Sequence, residues 1–342
     1  MYAPSILVFS RDPGPTNSLI ATLETLLAIP AGDEPPGLSE LRRAAPWTIG
    51  NLKIFARAPG ESLWRSAGFT ASVWEGDGDF AAERLLSETG AGLVLTGTSD
   101  LDESGDRAIW RVARKRLIQS HVVLDHPANL AKRFVEQGGS IVWPDFLYVP
   151  DATFAGRLAE IGAPRERIRI VGELHHARLL RIANSRKPEE IAAVRKIWNA
   201  KPSDFIVLFA SECAREMRVS GQTFSFDEVE EFELLSCCLA RGEELNGLSI
   251  DPRKLTVIVR PHPRDRIDKY AGVIEKYGGQ IHIEVSAEGS PDLALLAADL
   301  VVGMESSLLY EAAVLGRRVV SLIGHDLSEG KSFSNLRRKV PT

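Results

Sequence analysis

The chain has 342 residues, which at roughly 150 per domain points to two domains. Its 44% apolar and 25% charged residues are ordinary for a globular protein and exclude disorder, while the length excludes a small disulfide-stapled scaffold. With 41 basic residues against 46 acidic ones, net −5 and scattered, binding of nucleic acid through a basic face is not expected.

Short apolar runs alternate with helix-period segments from the start, the signature of an α/β chain. In the first half, strands are expected at Ile6–Phe9, Leu52–Ala56, Leu93–Thr96, Val122–Leu124, Phe146–Val149 and Ile168–Val171. Helices are expected at Ser18–Ala28, Phe80–Glu88 and Ala152–Ile161. The segment Ser10–Ser18 reads as a loop with a single glycine, so it is neither a dinucleotide fingerprint nor a P-loop. Its Gly14, Thr16 and Asn17 are candidate substrate contacts; the plainer alternative is a tight turn capped by Thr16 or Asn17.

Asp77-Gly78-Asp79 reads as a glycine-rich turn rather than a metal-carrying pair. Asp125 falls at the end of a buried strand, beside His126 and Pro127, where a carboxylate or imidazole can take a proton. Its plainer alternative is a helix cap beside a surface histidine. Gly172-Glu173-Leu174-His175-His176 follows the last strand of this half. Adjacent histidines splay apart and no further ligand spacing completes a zinc set, so no metal is expected. Five of the six tryptophans (Trp47, Trp64, Trp74, Trp110 and Trp143) lie here, mostly as core. Asn184–Ser203, polar and punctuated by Pro188 and Pro202, reads as a linker carrying one helix. The expected domains are therefore 1–184 and 185–342.

In the second half, strands are expected at Phe205–Phe209, Leu255–Arg260, Gln280–Glu284, Leu300–Val302 and Val319–Ile323. Helices are expected at Asp227–Leu239, Asp265–Tyr277, Pro291–Ala297 and Ser307–Leu315. The acidic run Asp227–Glu233 reads as a solvated helix face, and Cys237-Cys238 as packing. Three cysteines with one adjacent pair make no disulfide framework and suit a reducing compartment. No basic leader precedes the first apolar run and no window approaches the roughly 18 apolar residues of a spanning helix. A soluble cytoplasmic protein is expected.

Two segments in this half carry chemistry. At Val301–Glu311 a buried strand ends at Gly303, Ser306 and Ser307 follow, and a helix opens, presenting backbone N–H groups and two hydroxyls to an anion. Glu311, one turn on, can accept from ribose hydroxyls; an ordinary serine cap is the alternative. At Val259–Arg264 a strand runs into His262, held between two prolines and flanked by Arg260 and Arg264. A histidine so placed can donate to a phosphate or to a leaving oxygen; a capping histidine is the alternative.

Arg260-Pro261-His262-Pro263 followed by Ser306-Ser307 and Glu311, leading into Leu315-Gly316 and Val319, resembles nucleotide-sugar-dependent glycosyltransferases of the GT-B fold. The likeness is greatest to bacterial capsule and polysaccharide enzymes. These are polysialyltransferase-type sialyltransferases with His-Pro and Ser-Ser motifs, CDP-glycerol glycerophosphotransferases, and UDP-N-acetylglucosamine 2-epimerases in their second domain. It covers residues 205–323, and the first half in general pattern. The acidic pair of the sialyltransferases has only a broken counterpart in Glu75-Gly76-Asp77-Gly78, and the epimerase His-Val-Glu-Ala-Gly segment is absent.

The resemblance implies an α/β chain of two Rossmann-like, doubly wound domains facing a cleft, acceptor side first and donor side second. It implies transfer of a sugar from a nucleotide-activated donor to a saccharide or glycoconjugate acceptor in surface polysaccharide or glycoconjugate synthesis. No metal and no resident cofactor are expected, the nucleotide-sugar being a substrate. His262, Ser306 and Ser307, with Arg260 or Arg264, would hold the donor's phosphate, and Glu311 its ribose. Asp125 or His126 would be the base, and Glu173 or His175 would touch donor or acceptor. A nucleotide-sugar epimerase or hydrolase is the alternative, with Glu173 and His175 poised over the sugar ring. A non-catalytic nucleotide-sugar-binding protein is another. Donor, acceptor and oligomeric state stay open, as does peripheral membrane contact.

Overall fold

A computed structural model of the chain describes residues 4–102, 105–126, 129–136, 139–219 and 223–323. The chain divides into two units, Met1–Arg178 and Leu179–Thr342. Among the described residues no helix is long and apolar enough to cross a membrane.

Unit 1 runs through β1 (Ser5–Ser10), α1 (Pro13–Ala28), α2 (Ser39–Ala44), β2 (Leu52–Ala56), α3 (Gly60–Ser66), β3 (Ser72–Val73), α4 (Gly78–Thr89) and β4 (Ala91–Thr96). It continues with α5 (Asp106–Lys115), β5 (Gln119–Val123), α6 (Leu130–Phe134), β6 (Phe146–Val149), α7 (Ala152–Glu160), β7 (Ile168–Ile170) and α8 (Leu174–Ser185), which carries the chain into unit 2. Its seven strands lie in the order β3-β2-β1-β4-β5-β6-β7, all parallel. Parallel strands covered on both faces read as unbroken apolar runs, and β1 shows why. Ile6 and Val8 pack on one face with Leu19 and Leu23 of α1; Leu7 and Phe9 pack on the other with Leu85 of α4 and Ile109 of α5.

Unit 2 comprises α9 (Pro188–Ile197), β8 (Phe205–Ala210), α10 (Ala214–Val219), α11 (Glu228–Ala240), β9 (Leu255–Arg260) and α12 (Ala271–Tyr277). After these come β10 (His282–Val285), α13 (Pro291–Ala297), β11 (Leu300–Gly303), α14 (Ser307–Val314) and β12 (Arg318–Ser321). The parallel sheet is ordered β10-β9-β8-β11-β12. Val207 and Phe209 face Phe232 and Leu235 of α11, while Ile206 and Leu208 face Trp198 and Leu295.

Each sheet grows outward in both directions from its first strand, so each has a switch point, between β1 and β4 and between β8 and β11. The right-handed crossovers leave opposite faces there, and the loops beyond the carboxyl ends of the strands part to leave room for a ligand.

Four expectations are corrected. Asn184–Ser203 is not a linker: Val194 and Trp198 are buried in unit 2, whose sheet α9 covers together with α13. The two units divide inside α8, between Arg178 and Leu179. The segment holding Gly14, Thr16 and Asn17 is the first turn of α1, because Pro13 at the first helical position needs no N–H partner. The run Asp227–Glu233 is not a solvated face. Asp227 caps α11, whereas Glu228 and Glu231 are buried. Asp79 lies within α4, held by Arg111 and Lys115, rather than in a turn.

Candidate functional site

In unit 2 the switch point is lined by Ser211 and Glu212 after β8, Pro261–Asp265 after β9 and Met304–Ser307 after β11. Strands β8 and β9 are in register to their ends, Ala210 opposite Arg260, and Ser211 donates its N–H to the Arg260 carbonyl at 3.0 Å. Gly303 ends β11 because a Cβ there would meet the Ala210 carbonyl oxygen at 3.1 Å. The loop after it is pinned from behind: Ser321 donates to the Met304 carbonyl, and the Leu322 N–H to that of Gly303, both at 2.8 Å. That leaves its N–H groups turned toward the switch point.

One of those N–H groups meets a carboxyl group. Glu212, half-buried, reaches across from β8 and accepts a hydrogen bond from the Glu305 N–H at 2.7 Å. Burial, with the like charge of Glu305, pushes its carboxyl up to about 7 despite this bond. Ser306 caps α14, its Oγ accepting from the Leu308 N–H at 3.3 Å, and Ser307 is exposed at the first helical position.

His262 sits at the end of β9, as expected, and its ring orientation is set by the backbone. Its Nδ1 accepts from the Arg264 N–H at 3.1 Å, which places the proton of the neutral ring on Nε2. Burial holds its pKa below the usual histidine range. The turn is locked by Asp265, which accepts from the His262 N–H at 2.9 Å and from Ser211 and closes the loop by donating its own N–H to the His262 carbonyl.

Behind the turn stands a buried cation that the sequence did not disclose. Lys269 bonds to Asp265 at 2.8 Å, Glu228 at 2.7 Å, Glu216 at 3.2 Å and the Glu212 carbonyl at 2.9 Å. Burial alone would pull its pKa down, but Asp265 and Glu228 hold it above the usual lysine value. One ammonium therefore fixes both the histidine turn and the backbone of Glu212. The other basic candidates differ. Arg260 is committed to the carbonyls of Glu288 at 3.2 Å and Gly289 at 2.9 Å, with Glu311, itself buried, as a charged neighbour. Arg264 is exposed.

In unit 1 the strand ends carry a cavity of about 550 Å³, lined by Arg11 after β1, Arg57 and Ala58 after β2, Glu75 and Asp77 after β3, and Leu101 and Asp102 after β4. That volume lies within the usual range for small-molecule sites. Arg57 lies under Trp74, 5.6 Å from the ring centroid, and burial holds its pKa below the usual arginine value. None of the expected contacts Gly14, Thr16 and Asn17 lines this cavity. Thr16 is fully buried, its hydroxyl spent on Ser10 at 2.9 Å and the Asp12 carbonyl at 2.7 Å.

Asp125 sits beyond β5, where Oδ1 accepts from the buried Arg133 guanidinium at 2.8 Å. Its Oδ2 lies against Gly14 so closely that a Cβ there would be 2.0 Å away, which is why the first turn of α1 carries a glycine. Arg133 also donates to Thr98 at 2.9 Å, and Arg107 ties down the carbonyls of Ser99, Leu101 and Asp102. His126 is half-buried, and Pro127 lies outside the described residues. Glu173 and His175 lie at the start of α8; burial, then Asp151, holds the Glu173 carboxyl above its usual range, with a smaller push from Asp125. Among the described residues no three His, Cys, Asp or Glu side chains converge as a metal site.

No protein-family model matches the chain, and no curated protein is similar to it in sequence. Solved structures are similar in fold. UDP-GlcNAc 2-epimerase from Methanocaldococcus jannaschii shares 14% identity at TM-score 0.59, over 95% of this chain and 85% of that one. The Neisseria meningitidis UDP-GlcNAc 2-epimerase shares 10% at 0.58, over 95% and 84%. A glycosyltransferase from Rickettsia africae shares 9% at 0.52, over 93% and 79%. The fold is thus GT-B, as the motifs implied.

Proposed function

We propose that this chain is a nucleotide-sugar enzyme, a glycosyltransferase whose second unit binds the donor's diphosphate without a metal. The observation that carries this reading is the cradle after β11, where the Glu305 N–H already donates to a carboxylate and the N-terminus of α14 follows. N–H groups converging at a helix N-terminus favour a phosphate for the same reason, and stabilise the charge that grows on it as the sugar carbon departs. His262 adds an Nε2–H donor at the next strand end, neutral near pH 7, to meet the second phosphate or the leaving oxygen. Ser307 adds an exposed hydroxyl, and Glu311 sits one turn further on for the ribose.

The acceptor belongs to unit 1, whose cavity pairs Arg57 and Arg11 with three carboxylates, a lining suited to a polyhydroxylated molecule. In this reading Asp125 is a positioning group, since Arg133 occupies it, and the proton-accepting role passes to Glu173 or His126. Glu173→Gln should then lower kcat by about 10²-fold or more with KM little changed, whereas Asp125→Asn acts mainly on stability.

A thermal-shift panel of UDP, CDP, CMP, GDP and ADP tests the donor site. Ligand at 100 times its Kd adds about 2.7 kcal/mol of stability. Selective stabilisation by one nucleotide, lost in His262→Ala and Ser307→Ala, supports the reading; silence toward all five sinks it. The raised Glu173 carboxyl beside His175 favours a second reading, an epimerase, since that chemistry needs acid and base groups and no acceptor. Proton NMR of UDP-GlcNAc incubated with the protein alone separates the two: a new epimer supports the second reading.

A further inference from the structure

The cradle after β11 is filled by part of the chain itself. Glu212 reaches across the switch point from β8 to the loop that leads into α14 and takes the N–H group of Glu305 at 2.7 Å. It is neither a cap of its own helix nor half of an ion pair among the described residues; the charged side chain next to it is Glu305, of like sign. Its backbone is held by Lys269 through its carbonyl, so the side chain is delivered to the cradle from a fixed point.

We infer that Glu212 is a specificity-determining residue, an internal carboxylate that competes with the ligand's phosphate for the cradle and must leave when the ligand binds. This rests on the reading of the cradle as a phosphate seat. The physical logic is that of a tethered competitor. A side chain a few bonds long presents its carboxylate at an effective concentration of millimolar or more, which excludes weak anions and yields to a ligand held by additional contacts. Orthophosphate and single carboxylates gain too little to displace it. A nucleoside diphosphate, whose second phosphate meets His262 and whose base and ribose bind elsewhere, gains enough. Binding would thus be made selective by a repulsive element as well as by attractive ones.

Calorimetric titration of the full chain with inorganic pyrophosphate and, in parallel, with UDP and CDP tests this on wild type, Glu212→Gln, Glu212→Ala and Glu212→Asp. Gln keeps the shape and loses the charge. Ala loses both, and Asp keeps the charge but falls short of the cradle. Pyrophosphate should bind at least tenfold tighter to Ala and Asp than to wild type, with Gln between. Backbone amide exchange at Glu305 in the wild type should stay slow when pyrophosphate replaces the carboxylate, and speed up in unliganded Glu212→Ala.

Pyrophosphate affinity equal to or weaker than wild type in all three variants overturns the inference, as does failure of every form to bind it. The nucleotide-sugar reading fails separately. If the variants gain pyrophosphate affinity but UDP and CDP bind no better than pyrophosphate, the competitor stands and the nucleotide does not. If UDP or CDP binds the wild type tightly and the variants gain nothing, the reverse holds.

Discussion

Each unit places a carboxylate at the opening of a helix beside its switch point, and the two are held in opposite ways. Asp125 lies against Gly14 in the first turn of α1 with the buried guanidinium of Arg133 on its other oxygen. Glu212 lies on the Glu305 N–H in the loop that leads into α14, with the like charge of Glu305 as its neighbour. The first is neutralised and further tied through Arg133 to Thr98, so it is part of the frame. The second forms no ion pair among the described residues, and in the inference above it gives way to the ligand. In unit 2 the fixed cation has been moved one layer back, to Lys269, where it positions the chain without cancelling the charge at the cradle.

The strongest way to break this contrast is to remove the two buried cations. Lys269→Met strands Glu228 and Asp265, whose side chains are wholly buried, and should cost about 3–5 kcal/mol in urea unfolding. The double variant Lys269→Met/Glu228→Gln should recover part of it. Arg133→Met, at a site slightly more exposed, should cost about 3 kcal/mol and be partly rescued by Asp125→Asn. If either single variant is neutral, the corresponding network is not what holds its strand ends.

Titration sharpens the contrast, because burial acts on an imidazole in one unit and on a carboxyl in the other. His121, fully buried in β5 and stacked on Phe146, has its pKa pushed down to about 4. The unfolded chain takes up its proton below about 6.5, so stability is lost as pH falls from there toward 4. His121→Phe keeps the stack and should flatten that acid limb. Glu212 runs the other way. Its folded pKa is raised, so its contribution is complete below the unfolded value near 4.5 and is lost as pH rises through about 7. Stability of Glu212→Gln relative to wild type should therefore grow between pH 5 and pH 8; a flat difference would mean that the carboxylate is better held than its surroundings imply. The smallest effect is at the cap itself, where Ser306→Ala should cost about 1 kcal/mol in thermal unfolding.

Much of this was legible in the residues. Short apolar-rich runs located all the strands among the described residues but two-residue β3, most plainly in the central strands, whose buried faces leave no polar side to interrupt them. The Val-Val-Gly-Met-Glu-Ser-Ser and Arg-Pro-His-Pro segments stood out because glycine, serine and proline constrain the backbone locally, and both lie at strand ends as read. The one helix expected in the linker segment is α9, but its polar stretch gave little sign of Val194 and Trp198, the two side chains that bury it in unit 2. The charged run at Asp227 was misread because an acid looks solvated until its partner is known, and the partner of Glu228 lies 41 residues away in sequence.

What the sequence determined by itself was thus the class of fold, the strand ends and the two motifs, all consequences of periodicity and local backbone chemistry. Only the tertiary structure decided what each charge does. It set Arg133 on Asp125, Lys269 behind the His262 turn and Glu212 on the backbone of Glu305. Pairings between distant residues are chosen by the strand order and not by spacing along the chain, so no local pattern announces them.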